Sequence, residues 1–253
     1  MKDDAPIAHV RKNADDTWAE PQSLADHLVG TANLASKFAA SFRSSAWAYA
    51  AGIAHDTGKS PEAWQRYLGN KSGYNEDAHL ETKIGTMDHS TPSAKIAEEV
   101  LGKGIGRILS YCIAGHHAGL PDWMESQKAL SFRLQNSNTA GIPSEYREVL
   151  AANRPSTPPW KFVPKGLDMS LWIRMLFSCL VDADFLDTEA YMESGKSELR
   201  GEYLSIAALL ARFNTYIAEK TETAMKAADT PVNRARQQVL ADCRAAAQLE
   251  PGL

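Results

Sequence analysis

One pentapeptide carries the side chains with the clearest chemical potential, and it reads His55, Asp56, Thr57, Gly58 and Lys59. The adjacent histidine and aspartate offer an imidazole nitrogen and a carboxylate oxygen, which suit a borderline divalent metal such as manganese, iron, nickel, cobalt or zinc. The glycine and lysine that follow predict a tight turn and a cation that could face a phosphate. A single His-Asp pair is a weak signal, so its weight depends on the other ligand-type residues of the chain.

Six further histidines occur, at His9, His27, His79, His89, His116 and His117. His27 is predicted on the apolar face of a long helix, His89 directly before a helix, and the His116-His117 pair at a helix end. Side chains that are adjacent in mid-helix diverge by about 100°, whereas adjacent residues at a helix end can converge on one site. The positions after a helix are therefore good places for ligands. We expect His9 and His79 to be structural or exposed.

Two late aspartates, Asp182 and Asp184, follow an apolar stretch that is predicted to be a helix. A carboxylate that leaves such a helix needs a partner, because an unpaired buried charge is unfavourable. A metal is one such partner. The alternative is a helix end that emerges into water, although the helix dipole disfavours acids there.

Apolar residues recur at helical spacing along most of the chain, which predicts an all-α fold. Ser23 is a plausible N-cap for the first long helix, and residues 7–10 are predicted to be extended. Helical bundles can collect ligands from several helices in one cavity. The predicted helices span residues 24–42, 46–55, 62–68, 92–101, 105–116, 143–151, 168–188, 202–228 and 232–248.

Composition limits the function classes. The chain has 253 residues and a net charge of −4, which argues against a protein that simply coats DNA. Its three cysteines are scattered and form no zinc-binding pattern, which fits a reducing cytoplasm. The start lacks an apolar signal core, no stretch reaches the length of a membrane span, and no GxxxxGK[ST] phosphate loop occurs.

Residues 119–167 differ from the rest because they are rich in proline and locally basic. They are either a solvated loop or a surface that tracks a nucleic-acid backbone. The basic residues are Lys128, Arg133, Arg147, Arg154, Lys161 and Lys165. Candidates for stacking on bases, with buried packing as the alternative, are Trp64, Tyr67, Trp123 and Trp160.

The order of these residues resembles the HD superfamily of metal-dependent phosphohydrolases. Five blocks between residues 7 and 190 are more specifically similar to the N-terminal HD nuclease domain of the type I CRISPR-associated helicase-nuclease. The blocks are SLADHLVGTANLASKFA, AGIAHDTGKSPEAWQRYL, DHSTPSAKIAEEVL, IAGHHAGLPDW and LVDADFLDTE. A histidine pair followed by Ala-Gly-Leu-Pro is far more restrictive than a bare His-Asp pair.

The resemblance implies an HD-domain helical bundle with a loop-rich insertion and two divalent metal ions, with magnesium as a further candidate. Asp56 would bridge the two ions and, with Lys59, act in catalysis. Asp184 is the preferred late ligand and Asp182 the alternative. The implied ligands are His27, His55, Asp56 and Asp184 for one ion, and His89, His116 and His117 with Asp56 for the other.

The resemblance also implies a function, which is hydrolysis of single-stranded DNA in type I CRISPR interference. The implied partners are a guide-RNA surveillance complex and a helicase domain C-terminal to this chain, with no membrane. The HD nuclease domain would cover residues 1–228, with residues 119–167 as the basic insertion, and residues 229–253 would form the connecting helix. The alternatives are an HD phosphohydrolase acting on nucleotides or cyclic nucleotides, and a non-catalytic adaptor.

Overall fold

The computed structural model describes residues 5–74, 87–124, 126–156, 165–200 and 204–249. The chain forms two compact units, residues 1–199 and residues 200–253. The assignment of residues 1–228 to a nuclease domain and of residues 229–253 to a connecting helix stays a prediction.

The predicted all-α fold is confirmed, because helices dominate the described residues and the strands form one small sheet. In the first unit the helices are α1 (Leu24–Ala39), α2 (Ser45–Ala54), α3 (Glu62–Ser72), α4 (Ser90–Gly115), α5 (Leu130–Asn136), α6 (Ser144–Ala152), α7 (Gly166–Met192) and α8 (Ser194–Glu198).

Helix α1 begins where the sequence predicts. The Ser23 side chain accepts a hydrogen bond from the backbone N–H of Asp26, at 3.0 Å, and so satisfies one of the free donors of the first turn. The helix ends at Ala39 in a 3₁₀ turn, Ala40–Phe42, where Arg43 takes a left-handed conformation. Its apolar face is buried, and His27 lies on that face.

The extended segment predicted at residues 7–10 is present as strand β1 (Ile7–His9), which pairs antiparallel with β2 (Gln22–Ser23). Because β2 leads directly into α1, this pairing brings His9 next to the first turns of α1. The backbone N–H of Leu24 also donates to the carbonyl of Pro6, at 2.7 Å.

Small residues let α1 and α2 approach closely. A Cβ on Gly52 would lie 2.5 Å from the Cα of Ala32, so only glycine fits this crossing. Helix α2 is buried along nearly its whole length and contacts α1, α4 and α7. Its C-terminal residue, followed by His55, is therefore delivered to the interior of the bundle.

The two helices predicted at residues 92–101 and 105–116 form one element, α4, which begins two residues earlier, at Ser90. Gly102 interrupts it with φ 80° and ψ 173°, a conformation that a residue with a side chain rarely adopts. The predicted break is thus real, but it is confined to a single residue.

The insertion contains two short helices, of which α6 matches the predicted helix and α5 was not predicted. Two of its arginines are engaged within the protein. Arg133 donates to the Thr91 hydroxyl and the Ala114 carbonyl, and Arg147 pairs with Glu99 at 2.8 Å. Lys128, Arg154 and Lys165 are exposed. Lys161 and Trp160 lie outside the described residues.

Helix α7 extends beyond the predicted 168–188, so Asp182 and Asp184 lie inside it rather than at its end. The second unit contains α9 (Ile206–Ala227) and α10 (Pro231–Ala246), the latter capped by the Thr230 hydroxyl. Within the described ranges, no helix is both long and apolar enough to cross a membrane.

Candidate metal centre

The structure brings all seven predicted ligands together from four helices. His27 projects from α1 and Asp184 from α7, while His55 and Asp56 follow α2 directly. The ligands at the ends of α4 are His89, at its N-cap, and His116 and His117, at and after its C-terminus. Five of the seven candidate ligands therefore lie at helix ends.

Asp56 lies at the centre of two overlapping groups. One group contains His27, His55, Asp56 and Asp184, and the other contains Asp56, His89, His116 and His117; in each, one ligand-type atom per residue lies within 4.8 Å of all the others. The Oδ2 atom of Asp56 is 3.4 Å from both His27 Nε2 and His55 Nε2. Its Oδ1 atom is 3.2 Å from His89 Nε2 and 3.4 Å from His116 Nε2. The two oxygens of one carboxylate thus face different groups.

Three buried imidazoles are oriented by acceptors on their outer nitrogens. Nδ1 of His55 lies 2.7 Å from the Gly52 carbonyl, and Nδ1 of His116 lies 2.6 Å from the Ile113 carbonyl. Nδ1 of His27 lies 2.7 Å from the Asp187 carboxylate. Because these oxygens only accept, Nδ1 carries a proton in each ring and Nε2 points into the cluster, as in metal-ligating histidines.

The atoms that face inward fit a cation. His27 Nε2, His55 Nε2, His116 Nε2 and Asp56 Oδ1 are buried and make no hydrogen bond, whereas Asp56 Oδ2 pairs with the Lys59 ammonium. Buried polar atoms are normally satisfied, so four unsatisfied ligand-type atoms in one cavity require an explanation. Divalent cations supply it, because imidazole nitrogen and carboxylate oxygen together suit first-row transition metals.

The cluster has strongly shifted proton affinities. Burial raises the pKa of Asp56, but the Lys59 ammonium and the nearby imidazoles outweigh burial and hold that pKa well below its ordinary value. Burial lowers the pKa of His27, but the carboxylates of Asp184, Asp187 and Asp56 outweigh it and raise that pKa to about 10. Without a metal the cluster therefore retains a proton on His27.

Asp184 behaves like Asp56 in this respect. Burial raises its pKa, but His27 and His55 outweigh burial and hold the pKa far below its ordinary value. The Oδ1 atom of Asp184 lies 3.2 Å from His27 Nε2 and 3.5 Å from His55 Nε2. Asp182, the alternative late ligand, is exposed and belongs to neither group.

Lys59 lies beside the cluster and is almost fully buried. Its Nζ is 2.6 Å from Asp56 Oδ2 and 5.4 Å from the centre of the Trp64 ring. Trp64 is also buried and contacts the His89 ring edge-on, which favours packing over base stacking as its role. Tyr67 packs against Trp64, and Trp123 is covered by the Arg107 guanidinium at 4.3 Å.

A tight contact joins the 3₁₀ turn Thr57–Lys59 to the start of α4. The backbone N–H of Gly58 donates to the Ser93 hydroxyl, at 2.8 Å, and that hydroxyl donates to the His89 carbonyl, at 2.9 Å. A Cβ on Gly58 would lie 2.1 Å from the same carbonyl oxygen. Asp88 accepts from the N–H of Thr91 and so caps the first turn. His89 is thereby held from both sides.

The second group is the more open one. His117 is exposed, and its Nε2 lies 3.0 Å from Nε2 of His89. Burial, with help from His116, lowers the pKa of His117 to about 4, so this ring is neutral near pH 7. Among the described residues, His117 is therefore the most exposed member of the two groups.

Two residues that contact the cluster, His9 and Asp187, were not predicted to lie beside it. His9 packs edge-on against His27, with 4.8 Å between ring centres, and burial, then Lys59, lower its pKa to about 3. Asp187 holds the outer nitrogen of His27. The spacing of Asp187 three residues after Asp184 was the available signal, since residues three apart share a helix face. His79 lies outside the described residues.

Comparison with known proteins gave a family match and a similar solved structure. Residues 24–140 match the family model described as HD domain. No match was found among the curated proteins. A solved structure described as "Crystal structure of CRISPR-associated protein" is similar at 20% identity and a TM-score of 0.48, covering 82% of this chain and 25% of that one. This chain thus spans about a quarter of that protein. The family match over residues 24–140 and the convergent histidines and aspartates together support an HD-type domain that could hold divalent metal.

Proposed function

We propose that the chain is a metal-dependent nuclease that hydrolyses phosphodiester bonds of single-stranded DNA in type I CRISPR interference. The observation that carries the hydrolytic part is a set of four buried ligand-type atoms that make no hydrogen bond, which are Asp56 Oδ1 and the Nε2 atoms of His27, His55 and His116. The substrate and the biological setting are supported by the five sequence blocks from residue 7 to residue 190.

Each residue has a defined task in this proposal. His27, His55, Asp56 and Asp184 would hold one divalent cation, and Asp56, His89, His116 and His117 a second. When bound, such cations stabilise the negative charge of a phosphodiester's transition state and ease the ionisation of a water nucleophile. Asp56 sets the spacing between the two groups, because each of its oxygens faces one of them.

Lys59 supplies a fixed positive charge next to the place where a phosphate would lie. Its ammonium is held by Asp56 and the Trp64 ring. Preorganised charges of this kind stabilise developing negative charge more effectively than mobile ones. No serine or cysteine nucleophile is required, because water is the attacking group.

The open side of the cluster supports a polymeric substrate. His117 is exposed and His89 is partly exposed, so a strand could pass across this face without closure around a base and sugar. The exposed Lys128, Arg154 and Lys165 could contact its phosphates. A guide-RNA surveillance complex, a C-terminal helicase domain and a cytoplasmic location complete the proposal.

The test is a metal-dependent cleavage assay on the purified protein. Single-stranded DNA, double-stranded DNA, and a panel of nucleotides and cyclic nucleotides are incubated with Mn²⁺, Co²⁺, Ni²⁺, Fe²⁺, Zn²⁺ or Mg²⁺, and with a chelator as the blank. We expect single-stranded DNA to be cut and the double variant His55→Ala with Asp56→Ala to be inactive. Preference for nucleotides would support the alternative phosphohydrolase. A double variant that cuts as well as the parent would refute the site.

A further inference from the structure

The first group of ligands has an outer support that the second group lacks among the described residues. Nδ1 of His27 lies 2.7 Å from a carboxylate oxygen of Asp187, whereas the outer nitrogens of His55 and His116 face backbone carbonyls. A carboxylate is the stronger acceptor, because a hydrogen bond to an ionised group is shorter and roughly twice as strong as a neutral one. His27 is therefore held differently from its neighbours.

Asp187 is itself held in place. The same carboxylate oxygen accepts a hydrogen bond from Nε2 of Gln22, at 2.8 Å. Gln22 lies in β2, immediately before α1, whereas Asp187 lies in α7. The hydrogen bond therefore joins two elements that are far apart in sequence.

Helix α1 also leaves room for this carboxylate. A Cβ on Gly30 would lie 1.9 Å from the second oxygen of Asp187, so any larger residue would displace it. Gln22 and Gly30, both far from Asp187 in sequence, thus keep Asp187 against His27. Asp187 itself belongs to neither ligand group.

We infer that Asp187 is a positioning residue that fixes His27 with its proton on Nδ1 and its Nε2 directed at the first cation, with Gln22 and Gly30 holding the carboxylate. The inference rests on the proposed metal site but not on the choice of DNA as substrate. Mutation of a carboxylate that hydrogen-bonds the outer nitrogen of a metal-ligating histidine typically weakens metal binding by about 10- to 100-fold.

The experiment is a titration of the metal-free protein with Co²⁺ alone, followed by visible absorption and by calorimetry. Asp187→Asn keeps the size of the side chain and removes its charge. We expect the first equivalent of Co²⁺ to bind about 10- to 100-fold more weakly, with a changed absorption spectrum. Asp182→Asn, on the exposed face of the same helix, is the matched control and should bind Co²⁺ as the parent does.

A double-mutant cycle separates positioning from a general loss of structure. If Asp187 acts through His27, Asp187→Asn should cause no further loss of Co²⁺ affinity in a His27→Ala background. An equal loss in both backgrounds, or unchanged affinity in the single variant, would overturn the inference. If Asp187→Asn does not fold, Gln22→Ala removes only the outer donor; a weaker first equivalent supports the inference and unchanged affinity refutes it.

Co²⁺ binding and DNA cleavage together distinguish a failure of the positioning role of Asp187 from a failure of the proposed nuclease function. A parent protein that binds Co²⁺, shows the predicted loss in Asp187→Asn and cuts no DNA would refute the proposed substrate and support the inference. A parent that binds no Co²⁺ would overturn the inference together with the metal site.

Discussion

Substitution of Gly58 by alanine should weaken metal binding by the second ligand group, which contains His89, and leave binding by the first group nearly unchanged. The new Cβ would lie 2.1 Å from the His89 carbonyl oxygen and 2.9 Å from its carbon, both of which are backbone atoms that cannot rotate away. Ordinary van der Waals contact begins near 3.4 Å. The start of α4 or the 3₁₀ turn must therefore shift by about 1.3 Å to bring the distance from the new Cβ to the carbonyl oxygen from 2.1 Å to 3.4 Å. Overpacking of a well-packed interior typically destabilises a protein by about 1–3 kcal/mol.

The shift should be felt mainly by the second group. His89 Nε2 lies 3.2 Å from Asp56 Oδ1, and both residues flank the contact that alanine would open. Metal–ligand distances tolerate changes of only about 0.2 Å. In a Co²⁺ titration we therefore expect the second equivalent to bind at least about tenfold more weakly, while the first equivalent, held by His27, His55 and Asp184, changes little.

Gly104→Ala is the matched control, because a Cβ there meets no atom within 4 Å. It should leave both equivalents unchanged and leave the free energy of unfolding equal or slightly higher, since alanine favours the helix. If Gly58→Ala bound both equivalents like the parent and unfolded at the same denaturant concentration, the reasoning from this contact would be refuted.

Three further outcomes are expected. Lys59→Met should lower the rate of DNA cleavage by about 10²- to 10³-fold while Co²⁺ still binds to Asp56, because one preorganised charge is removed; an unchanged rate would contradict its catalytic role. The affinity for the first Co²⁺ should rise about tenfold per pH unit between pH 6 and pH 8, because the raised pKa of His27 means that one proton must leave; a flat profile by calorimetry would contradict this. Asp88→Ala should lower the free energy of unfolding by about 1 kcal/mol at pH 7. Burial raises the pKa of Asp88, but Thr91 and its other donors outweigh burial and keep it below 3.8. Its contribution is therefore present above that pH and lost as the pH falls further, so urea melts of parent and variant should converge in acid.

The sequence predicted which residues come together at the cluster better than it predicted the bounds of the helices that carry them. His27, on an apolar helical stripe, and the residues at helix ends could be recognised because helical periodicity places them without tertiary information. Asp184 could be preferred over Asp182 only from the flanking residues of the resemblance. The choice between their faces depends on the packing of α7, which periodicity does not determine because apolar residues also lie on the exposed side of this helix.

The parts that escaped prediction depend on contacts distant in sequence. Arg133 and Arg147 were candidates for contacts to DNA, yet they bond to Thr91 and Glu99 of α4. No local sequence pattern predicts partners that lie 42 and 48 residues away. The role of Asp187 likewise requires Gln22, 165 residues earlier, to be seen beside it. Helix α5 is too short for its periodicity to be distinctive, since it spans only Leu130–Asn136.

The positions of His27 and Asp184 have a consequence for the unfolded chain. The two residues lie near opposite ends of the first unit, and a cation bound by both would close a loop from residue 27 to residue 184. Such an ion acts as a reversible cross-link, and in the chain-entropy model a disulfide that closes a loop of this size stabilises a protein by about 5 kcal/mol. While such an ion stays bound, a cut by a protease within the insertion would leave α1 and α7 joined through His27 and Asp184.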